Sequence, residues 1–178
     1  MIRAYGGEMV NFHLEESKGW SLENGELERA YKEAKSKGIN PKAITIINPG
    51  NPTGSVLSKQ NIQDVIKFAY EHNLALLADE VYQDNIYNPA KPFISCKKVM
   101  FEMGSPYKEN VELISFHSVS KGVTGDCGLR GGYFEFLNID PFAAEMLLKL
   151  KSTSLTPNSI GMLNMGLMVN PPRAGINS

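Results

Sequence analysis

The sequence has few of the residues that form metal centres and disulfide frameworks. Its 178 residues include 2 cysteines and 3 histidines. Two cysteines, Cys96 and Cys127, are too few for a disulfide scaffold, and no Cys-x-x-Cys pair suggests a zinc site. The histidines, at positions 13, 72 and 117, are widely separated along the chain. We therefore expect neither a disulfide framework nor a bound metal.

A strong charge of either sign is also lacking, as is any apolar run of membrane-spanning length. The net charge is −1, which gives no general attraction to nucleic acid or to an anionic membrane. No secretory signal core is recognisable. Hydrophobic residues make up 42% of the chain, enough for the core of one domain. We predict a soluble, cytoplasmic protein, with the mitochondrion as the alternative compartment, that binds neither nucleic acid nor membrane.

What the chain does contain is a succession of short apolar runs and one clear amphipathic segment. Residues 43–47, 74–78 and 113–116 are typical of buried strands. Residues 58–73 have helical periodicity, so the first two strands and this helix form a βαβ unit with parallel strands. Residues 132–137 predict an antiparallel strand, because only a glycine-rich loop precedes them. The pattern predicts an α/β fold, a three-layer α-β-α sandwich with a mostly parallel sheet.

Five other segments complete the predicted secondary structure, and one of them is a short helix with Val99, Met100 and Met103 that ends at Gly104. Residues 8–14 alternate loosely and suggest a first strand. Residues 25–37 are typical of a surface helix capped by Asn24. Asp140, followed by a proline, opens another helix, and residues 159–169 form an apolar, methionine-rich helix. The helix after Asp140 is expected to bury a stripe made of Phe142, Ala143, Met146, Leu147 and Leu150.

Unusual polar motifs follow three of the predicted strands. Asn51 belongs to Asn-Pro-Gly-Asn-Pro-Thr-Gly, which comes directly after the predicted strand at residues 43–47. Asp79 follows five apolar residues, where an unpaired carboxylate would be costly. Lys121 lies in Ser-Val-Ser-Lys-Gly, just beyond the predicted strand at residues 113–116. In parallel sheets, ligands bind beyond the carboxyl ends of the strands, so we expect these three side chains to converge on one crevice.

These motifs resemble those of a known enzyme family. Asn-Pro-Gly-Asn-Pro-Thr-Gly, Ala-Asp-Glu-Val-Tyr and Ser-x-Ser-Lys-Gly with a later arginine are similar to the class I/II aminotransferases, which are fold type I pyridoxal-phosphate enzymes. Cys-Gly-Leu-Arg-Gly-Gly-Tyr, at residues 127–133, looks more narrowly like the alanine aminotransferases. The resemblance implies pyridoxal 5'-phosphate as cofactor, transfer of the amino group of L-alanine to 2-oxoglutarate, and a homodimer.

By this resemblance, Lys121 is the catalytic lysine whose amine condenses with the cofactor's aldehyde and then moves a proton on the substrate. A free lysine is almost wholly protonated at pH 7, so the site must favour the neutral amine. Asp79 is implied to pair with the protonated pyridine nitrogen of the cofactor. That pair would keep the ring cationic and able to accept electrons.

The remaining cofactor-binding residues are also carried over from the resemblance. Tyr82 and Asn51 would meet the phenolic oxygen of the ring, and Asn51 would also face the substrate carboxylate. Ser118 and Arg130 would hold the phosphate, since arginine matches a phosphate with two parallel hydrogen bonds. Ser120 would assist them.

The resemblance also bears on how much of such an enzyme is present. We expect residues 1–178 to be a partial large, cofactor-binding domain of the class I/II type, without the amino-terminal arm and the carboxy-terminal small domain. In the family, the small domain supplies the arginine that binds the substrate α-carboxylate. We therefore expect this chain alone to be inactive.

Alternative functions are less well supported by the residues. A hydrolase using Ser118 and His117 lacks the Gly-x-Ser-x-Gly elbow, and neither glycine motif of the common nucleotide-binding folds occurs. A non-catalytic fragment that keeps the motifs is a third class. Within the family, relatives that use another amino donor or glyoxylate share the same motifs, so the substrate pair stays open at this point.

Overall fold

A computed structural model describes residues 2–173 and 175 of the chain. Its sheet has four strands in the order β1-β2-β3-β4, with β1, β2 and β3 mutually parallel and β4 antiparallel to β3. The strands are β1 (Ala43–Ile47), β2 (Ala75–Asp79), β3 (Leu113–Ser118) and β4 (Gly132–Leu137). The predicted α/β fold with a mostly parallel sheet is confirmed.

Six α-helices connect and flank the strands. They are α1 (Asn24–Ser36), α2 (Lys59–Glu71), α3 (Cys96–Met103), α4 (Tyr107–Asn110), α5 (Pro141–Ser152) and α6 (Ser159–Val169). Short 3-10 helices occur at Ile2–Tyr5, Glu16–Lys18 and Cys127–Leu129. Among the residues that the structure describes, none of these helices combines the length and apolar character needed to cross a bilayer.

Helix α2 forms where the sequence predicts it, and its ends have clear local causes. Ser58 and Asn61 make a reciprocal capping box, each side chain accepting a hydrogen bond from the other residue's backbone N–H. At the other end, Asn73 adopts a left-handed conformation with φ of 51°, which an asparagine tolerates better than most residues. The chain therefore passes from the end of α2 directly into β2.

The core lies between one face of the sheet and the helices α1, α2 and α3. Alternate strand residues such as Ile44, Leu76 and Leu113 are buried on that face and join one cluster with the helix residues Ile62 and Val99. Full burial of each such side chain contributes about 1.5–3 kcal/mol. The strand residues on the opposite face are less buried, so the main core lies on one side of the sheet.

Two local predictions are wrong. Residues 8–14 form no strand, and the backbone N–H of His13 is instead bonded to the Glu26 carboxylate at 2.9 Å. The start of α1 also differs, because Glu23 occupies the cap position and Asn24 is the first helical residue. Loose alternation over a polar segment therefore did not suffice to specify a strand.

The predicted buried stripe of α5 is also wrong. The helix begins at Asp140-Pro141 as expected, with the Asp140 carboxylate accepting from two backbone N–H groups. However, Phe142 is 69% exposed and Leu150 is 67% exposed, and α5 contains no buried residue. The amphipathic pattern is present, but within residues 2–173 nothing packs closely against it. Helix α6, in contrast, buries Gly161 and Met165.

Candidate active site

The site lies at the carboxyl ends of the parallel strands, where their register places the motifs side by side. Ile47 at the end of β1 pairs with Asp79, and Asp79 pairs in turn with Phe116 of β3. The backbone N–H of Asn48 continues this ladder by donating to the Asp79 carbonyl oxygen at 3.0 Å. Asp79 is therefore in the centre of the edge, between the loops that follow β1 and β3.

The loop after β1 is held by a buried asparagine. The side chain of Asn48 is 1% exposed, and its Oδ1 accepts from the Leu57 backbone N–H at 2.9 Å. Across the same loop, Gly50 N donates to Ser55 O at 2.8 Å. Gly54 has a φ of +65°, which favours glycine. These contacts hold Asn51 at the tip of the loop.

Three of the predicted site residues come together above the sheet edge. The Asn51 side-chain Nδ2 donates to the Tyr82 hydroxyl at 3.2 Å. The Lys121 Nζ lies 5.6 Å from the centroid of the Tyr82 ring, close enough for a cation–π attraction. Three loops, one after each parallel strand, therefore meet at the Tyr82 side chain.

Asp79 is partly buried and has an unused acceptor capacity. Its Oδ1 accepts a hydrogen bond from the Val81 backbone N–H at 3.3 Å. Among the described residues, its carboxylate forms no ion pair with a lysine, arginine or histidine. A carboxylate held at a strand end without a cationic neighbour is suited to a positively charged ligand group.

The lysine loop, residues 119–131, is closed by hydrogen bonds to Gly131. The Gly131 carbonyl oxygen accepts from Val119 N at 3.1 Å and from the Ser118 hydroxyl at 3.2 Å. The Ser118 Oγ also accepts from the backbone N–H of Ser120 at 3.0 Å. Ser118, the last residue of β3, is thus linked both to Ser120 and to Gly131, the residue next to Arg130.

Arg130 ends this loop in an unusual conformation. Its φ is 53°, in the left-handed region, and its side chain is exposed. The guanidinium Nη1 donates to the Cys127 carbonyl oxygen at 3.0 Å, and no carboxylate of the described residues pairs with it. The group is therefore available to an anion.

Two buried polar residues, Glu80 and His117, lie behind the site, and the sequence reasoning did not predict the burial of either. Glu80 is 7% exposed, and its carboxylate accepts from the Cys96 backbone N–H at 2.8 Å, at the start of α3. Burial raises the pKa of the Glu80 carboxyl above its ordinary value of 4.5, against the opposing effect of that hydrogen bond. Burial, with the nearby Glu80 charge, also raises the pKa of the Cys96 thiol.

His117 is the second buried polar group behind the site. It is 7% exposed, and its ring stacks edge-on against Tyr133 with the centroids 5.7 Å apart. Burial lowers the pKa of its imidazole below 6.5, and the charge of Asp84 opposes this shift. The sequence contained a signal for both residues. Neighbours along a strand point to opposite faces, so Glu80 next to Asp79, and His117 next to Ser118, point away from the crevice.

Comparison with known proteins identifies the family. The family model described as aminotransferase class I and II matches residues 1–159. Glutamate–glyoxylate aminotransferase 1 of Arabidopsis thaliana is 51% identical over 174 residues, covering 98% of this chain and 36% of that protein. The probable mitochondrial alanine aminotransferase of Dictyostelium discoideum is 52% identical over 178 residues, covering 99% of this chain and 33% of that protein.

Solved structures agree on the fold. An alanine aminotransferase from Pyrococcus furiosus superposes with a TM-score of 0.76 at 24% identity, covering 96% of this chain and 40% of that one. An aminotransferase from Escherichia coli superposes with a TM-score of 0.69 at 27% identity, covering 87% of this chain and 35% of that one. Fold, motif placement and family match define an aminotransferase segment.

The chain belongs to the class I and II aminotransferases. It spans about a third of the length of the curated relatives that it matches, 36% and 33% for the two named above.

Proposed function

We propose that the protein is a pyridoxal-phosphate-dependent aminotransferase that transfers the amino group of L-alanine to 2-oxoglutarate, giving pyruvate and L-glutamate. The observation that carries the proposal is the meeting of Lys121, Tyr82 and Asn51 beside Asp79 at the carboxyl edge of the sheet. An amine, a phenol, an amide and a carboxylate at one edge match the groups that this chemistry needs.

The side chains present fit the cofactor at each of its functional groups. Asp79, which has no cationic partner among the described residues, would pair with the pyridine nitrogen. Tyr82 and Asn51, already joined to each other, would face the phenolic oxygen. When bound, pyridoxal phosphate supplies an electron sink for the electrons released at the substrate α-carbon.

The phosphate of the cofactor would be held on the lysine loop. Arg130, whose guanidinium has no carboxylate partner in the described chain, would form two parallel hydrogen bonds to it. Ser118 would give up its bond to the Gly131 carbonyl and donate to the phosphate instead, with Ser120 beside it. These are the residues that would orient the cofactor in the crevice.

Lys121 would have two roles. Its amine would hold the cofactor covalently before the substrate arrives, and it would afterwards move a proton to and from the substrate α-carbon. Support comes from its place beside the Tyr82 ring, on the loop that also carries the phosphate-binding residues.

A second substrate pair also has support, because two relatives from Arabidopsis thaliana are named glutamate–glyoxylate aminotransferases. The Arabidopsis protein that is 51% identical is named a glutamate–glyoxylate aminotransferase, and the Dictyostelium protein that is 52% identical is named an alanine aminotransferase. We keep alanine and 2-oxoglutarate as the proposed pair and glutamate with glyoxylate as the alternative. Rates of amino-group transfer with each substrate pair distinguish the two proposals. They are measured on a full-length relative built around residues 1–178.

The assembly and location of the whole protein are further proposals. We propose a homodimer as the working form and the cytoplasm as the compartment, with the mitochondrion as the alternative because relatives from Dictyostelium discoideum and Arabidopsis thaliana are named mitochondrial. We also propose that residues 1–178 are part of a large, cofactor-binding domain and that they do not transaminate when produced alone. The share of each relative that the chain covers supports this view.

Borohydride trapping tests the proposed cofactor. The chain is incubated with excess pyridoxal phosphate, reduced, digested and mapped by mass spectrometry. We expect the label on Lys121 in the native chain and in Lys91→Ala, and its loss in Lys121→Ala. A label found on Lys91 or Lys97, with Lys121 unmodified, would contradict the proposal.

A further inference from the structure

Helix α6 packs directly onto the loop that carries Arg130, at a distance that only glycine permits. A Cβ atom on Gly161 would lie 2.5 Å from the Leu129 carbonyl oxygen and 3.0 Å from the Gly131 Cα. A Cβ atom on Gly131 would lie within 3.0 Å of the Gly161 Cα. Real Cβ atoms almost never come closer than 3.0 Å to another heavy atom, so the 2.5 Å distance to the Leu129 carbonyl oxygen means that two backbones meet here with no side chain between them.

A hydrogen bond reinforces the same contact. The Asn158 side chain, which caps α6, donates from Nδ2 to the Leu129 carbonyl oxygen at 2.6 Å. Its Oδ1 accepts from the Ile160 backbone N–H at 3.1 Å, which is the capping bond itself. The Asn158 side chain therefore caps α6 with its oxygen and binds the lysine loop with its nitrogen.

These contacts hold the residues on both sides of Arg130. Its preceding neighbour, Leu129, accepts the bond from Asn158, and its following neighbour, Gly131, is against Gly161. Arg130 itself has a φ of 53°, a conformation that a non-glycine residue keeps only when its surroundings impose it. The first turn of α6 supplies such surroundings.

We infer that the first turn of α6 is a positioning device for Arg130, with Gly161 and Asn158 as its positioning residues. The inference rests on the proposed function in one respect, namely that Arg130 binds the cofactor phosphate. By fixing the backbone on both sides of Arg130, α6 directs the guanidinium toward the anion and keeps the arginine from adopting the commoner right-handed backbone. The residues act through Arg130 and do not touch the cofactor themselves.

Two glycines of the same helix give a matched pair of variants. Gly161→Ala places a methyl group against Leu129 and Gly131, whereas a Cβ on Gly166 meets nothing within 4 Å. Both substitutions replace glycine by alanine inside α6, so both favour the helix itself. Any difference between them reports the contact with the loop. Asn158→Asp is a third variant, because a carboxylate keeps the capping acceptor but cannot donate to the Leu129 carbonyl.

The first measurement is hydrogen exchange of the chain without cofactor. In Gly161→Ala and Asn158→Asp, we expect faster exchange of peptides that cover residues 126–131, while Gly166→Ala exchanges like the native chain. The result does not depend on any ligand. Unchanged exchange at residues 126–131 in both Gly161→Ala and Asn158→Asp would overturn the inference, even if the proposed cofactor is correct.

The second measurement separates phosphate binding from binding of the rest of the cofactor. Dissociation constants are measured for pyridoxal phosphate and for pyridoxal, which lacks the phosphate. Loss of a charge-assisted contact weakens binding on the order of tenfold, so Gly161→Ala should lose that factor for pyridoxal phosphate only. Equal losses for both compounds would overturn the inference, since they indicate a general disturbance. If the native chain binds both compounds equally, the proposed role of Arg130 fails and the exchange result alone decides whether α6 positions it.

Discussion

The Asn51 side chain donates a hydrogen bond to the Tyr82 hydroxyl at 3.2 Å, and this bond joins the loop after β1 to the loop after β2. Lys121 reaches the same tyrosine from the loop after β3, with its Nζ 5.6 Å from the ring centroid. Tyr82 is thus the point where three separate sequence motifs touch. A defect at this hydroxyl should therefore affect ligand binding more than folding.

Removing the Tyr82 hydroxyl tests this relationship. In Tyr82→Phe, the ring that Lys121 approaches is kept, while the hydrogen bond with Asn51 and the proposed donor to the cofactor are lost. A hydrogen bond to a charged group is worth about 1.5–3 kcal/mol, so affinity for pyridoxal phosphate should fall at least tenfold. The melting temperature should change little, because Tyr82 is outside the buried core.

Tyr87→Phe is the matched control for that experiment. Tyr87 is 88% exposed, and its hydroxyl meets only the Asn85 side chain among the described residues. This variant should bind the cofactor like the native chain. If Tyr82→Phe also kept native affinity, the tyrosine would have no part in the binding site.

Asp79→Asn tests the proposed partner of the pyridine nitrogen. Asparagine can still accept the hydrogen bond from Val81 N, so the loop should keep its conformation. Loss of the negative charge would let the pyridine nitrogen lose its proton. An interaction between charges in a water-poor site is worth on the order of several kcal/mol. The rate of transamination in a full-length relative carrying this segment should then fall by roughly three decades or more.

Asp64→Asn provides the comparison, because Asp64 is on α2, where its carboxylate accepts from the Gln60 side chain. Its rate should stay native. Steady-state kinetics and melting curves are measured for both variants. Near-native turnover in Asp79→Asn, with the cofactor bound, would mean that Asp79 has a structural role only.

The parts of the fold that the sequence predicted are those set by local patterns. The strand from Ala43 to Ile47 and helix α2 follow from apolar runs, helical spacing and the Ser58 cap, which act over a few residues. The convergence of Asn51, Asp79 and Lys121 followed from one topological rule about parallel strands. These elements needed no knowledge of distant contacts.

The parts that were missed depend on what packs against them. Residues 8–14 alternate like a strand but pair with no strand among the described residues, and the stripe of α5 has no closely packed neighbour there. The close contact of Gly161 with Gly131 joins residues that are 30 positions apart, and no local sequence pattern predicts it. Glu80 differs from these, because the alternation of side chains next to Asp79 already indicates that it points away from the crevice.

Glu80 gives a prediction about stability and its pH dependence. Because burial raises the pKa of Glu80 above 4.5 in the folded state, the folded chain binds a proton more readily there than the unfolded chain. The favourable contribution of Glu80 to folding stability is complete below about pH 4.5, and it is lost as the pH rises through the raised pKa. Glu80→Gln is neutral and keeps an acceptor for the Cys96 N–H. It should match or exceed native stability at pH 7 and lose this part of the pH dependence.

Glu80→Ala should behave differently. It leaves the buried N–H of Cys96 without its partner, and an unsatisfied buried donor costs about 1–3 kcal/mol. Urea unfolding of the three proteins between pH 4 and pH 8 checks both expectations. If the glutamine variant were as unstable as the alanine variant, the Glu80 charge itself would be stabilising and burial would not dominate.

The isolated chain of residues 1–178 should give no measurable alanine-dependent pyruvate. The chain has four arginines, and Arg29 is paired with Glu26 and Glu33. If Arg130 holds the phosphate, the substrate carboxylate needs another cation. Arg3 belongs to a terminal 3-10 helix, and Arg173 follows two prolines outside any helix or strand. Neither arginine is thus supported by a packed element at the sheet edge.

The assay for this prediction couples pyruvate to lactate dehydrogenase, with the chain purified and supplied with pyridoxal phosphate, alanine and 2-oxoglutarate. Lys121→Ala serves as the blank, because it lacks the amine that is proposed to hold the cofactor. We expect the native chain and the blank to give the same background rate. Several apolar residues of α6, including Ile160, Leu163 and Val169, are more than half exposed, so the monodispersity of each preparation is checked first. Steady turnover that requires alanine and disappears in Lys121→Ala would mean that these residues alone bind and position the substrate.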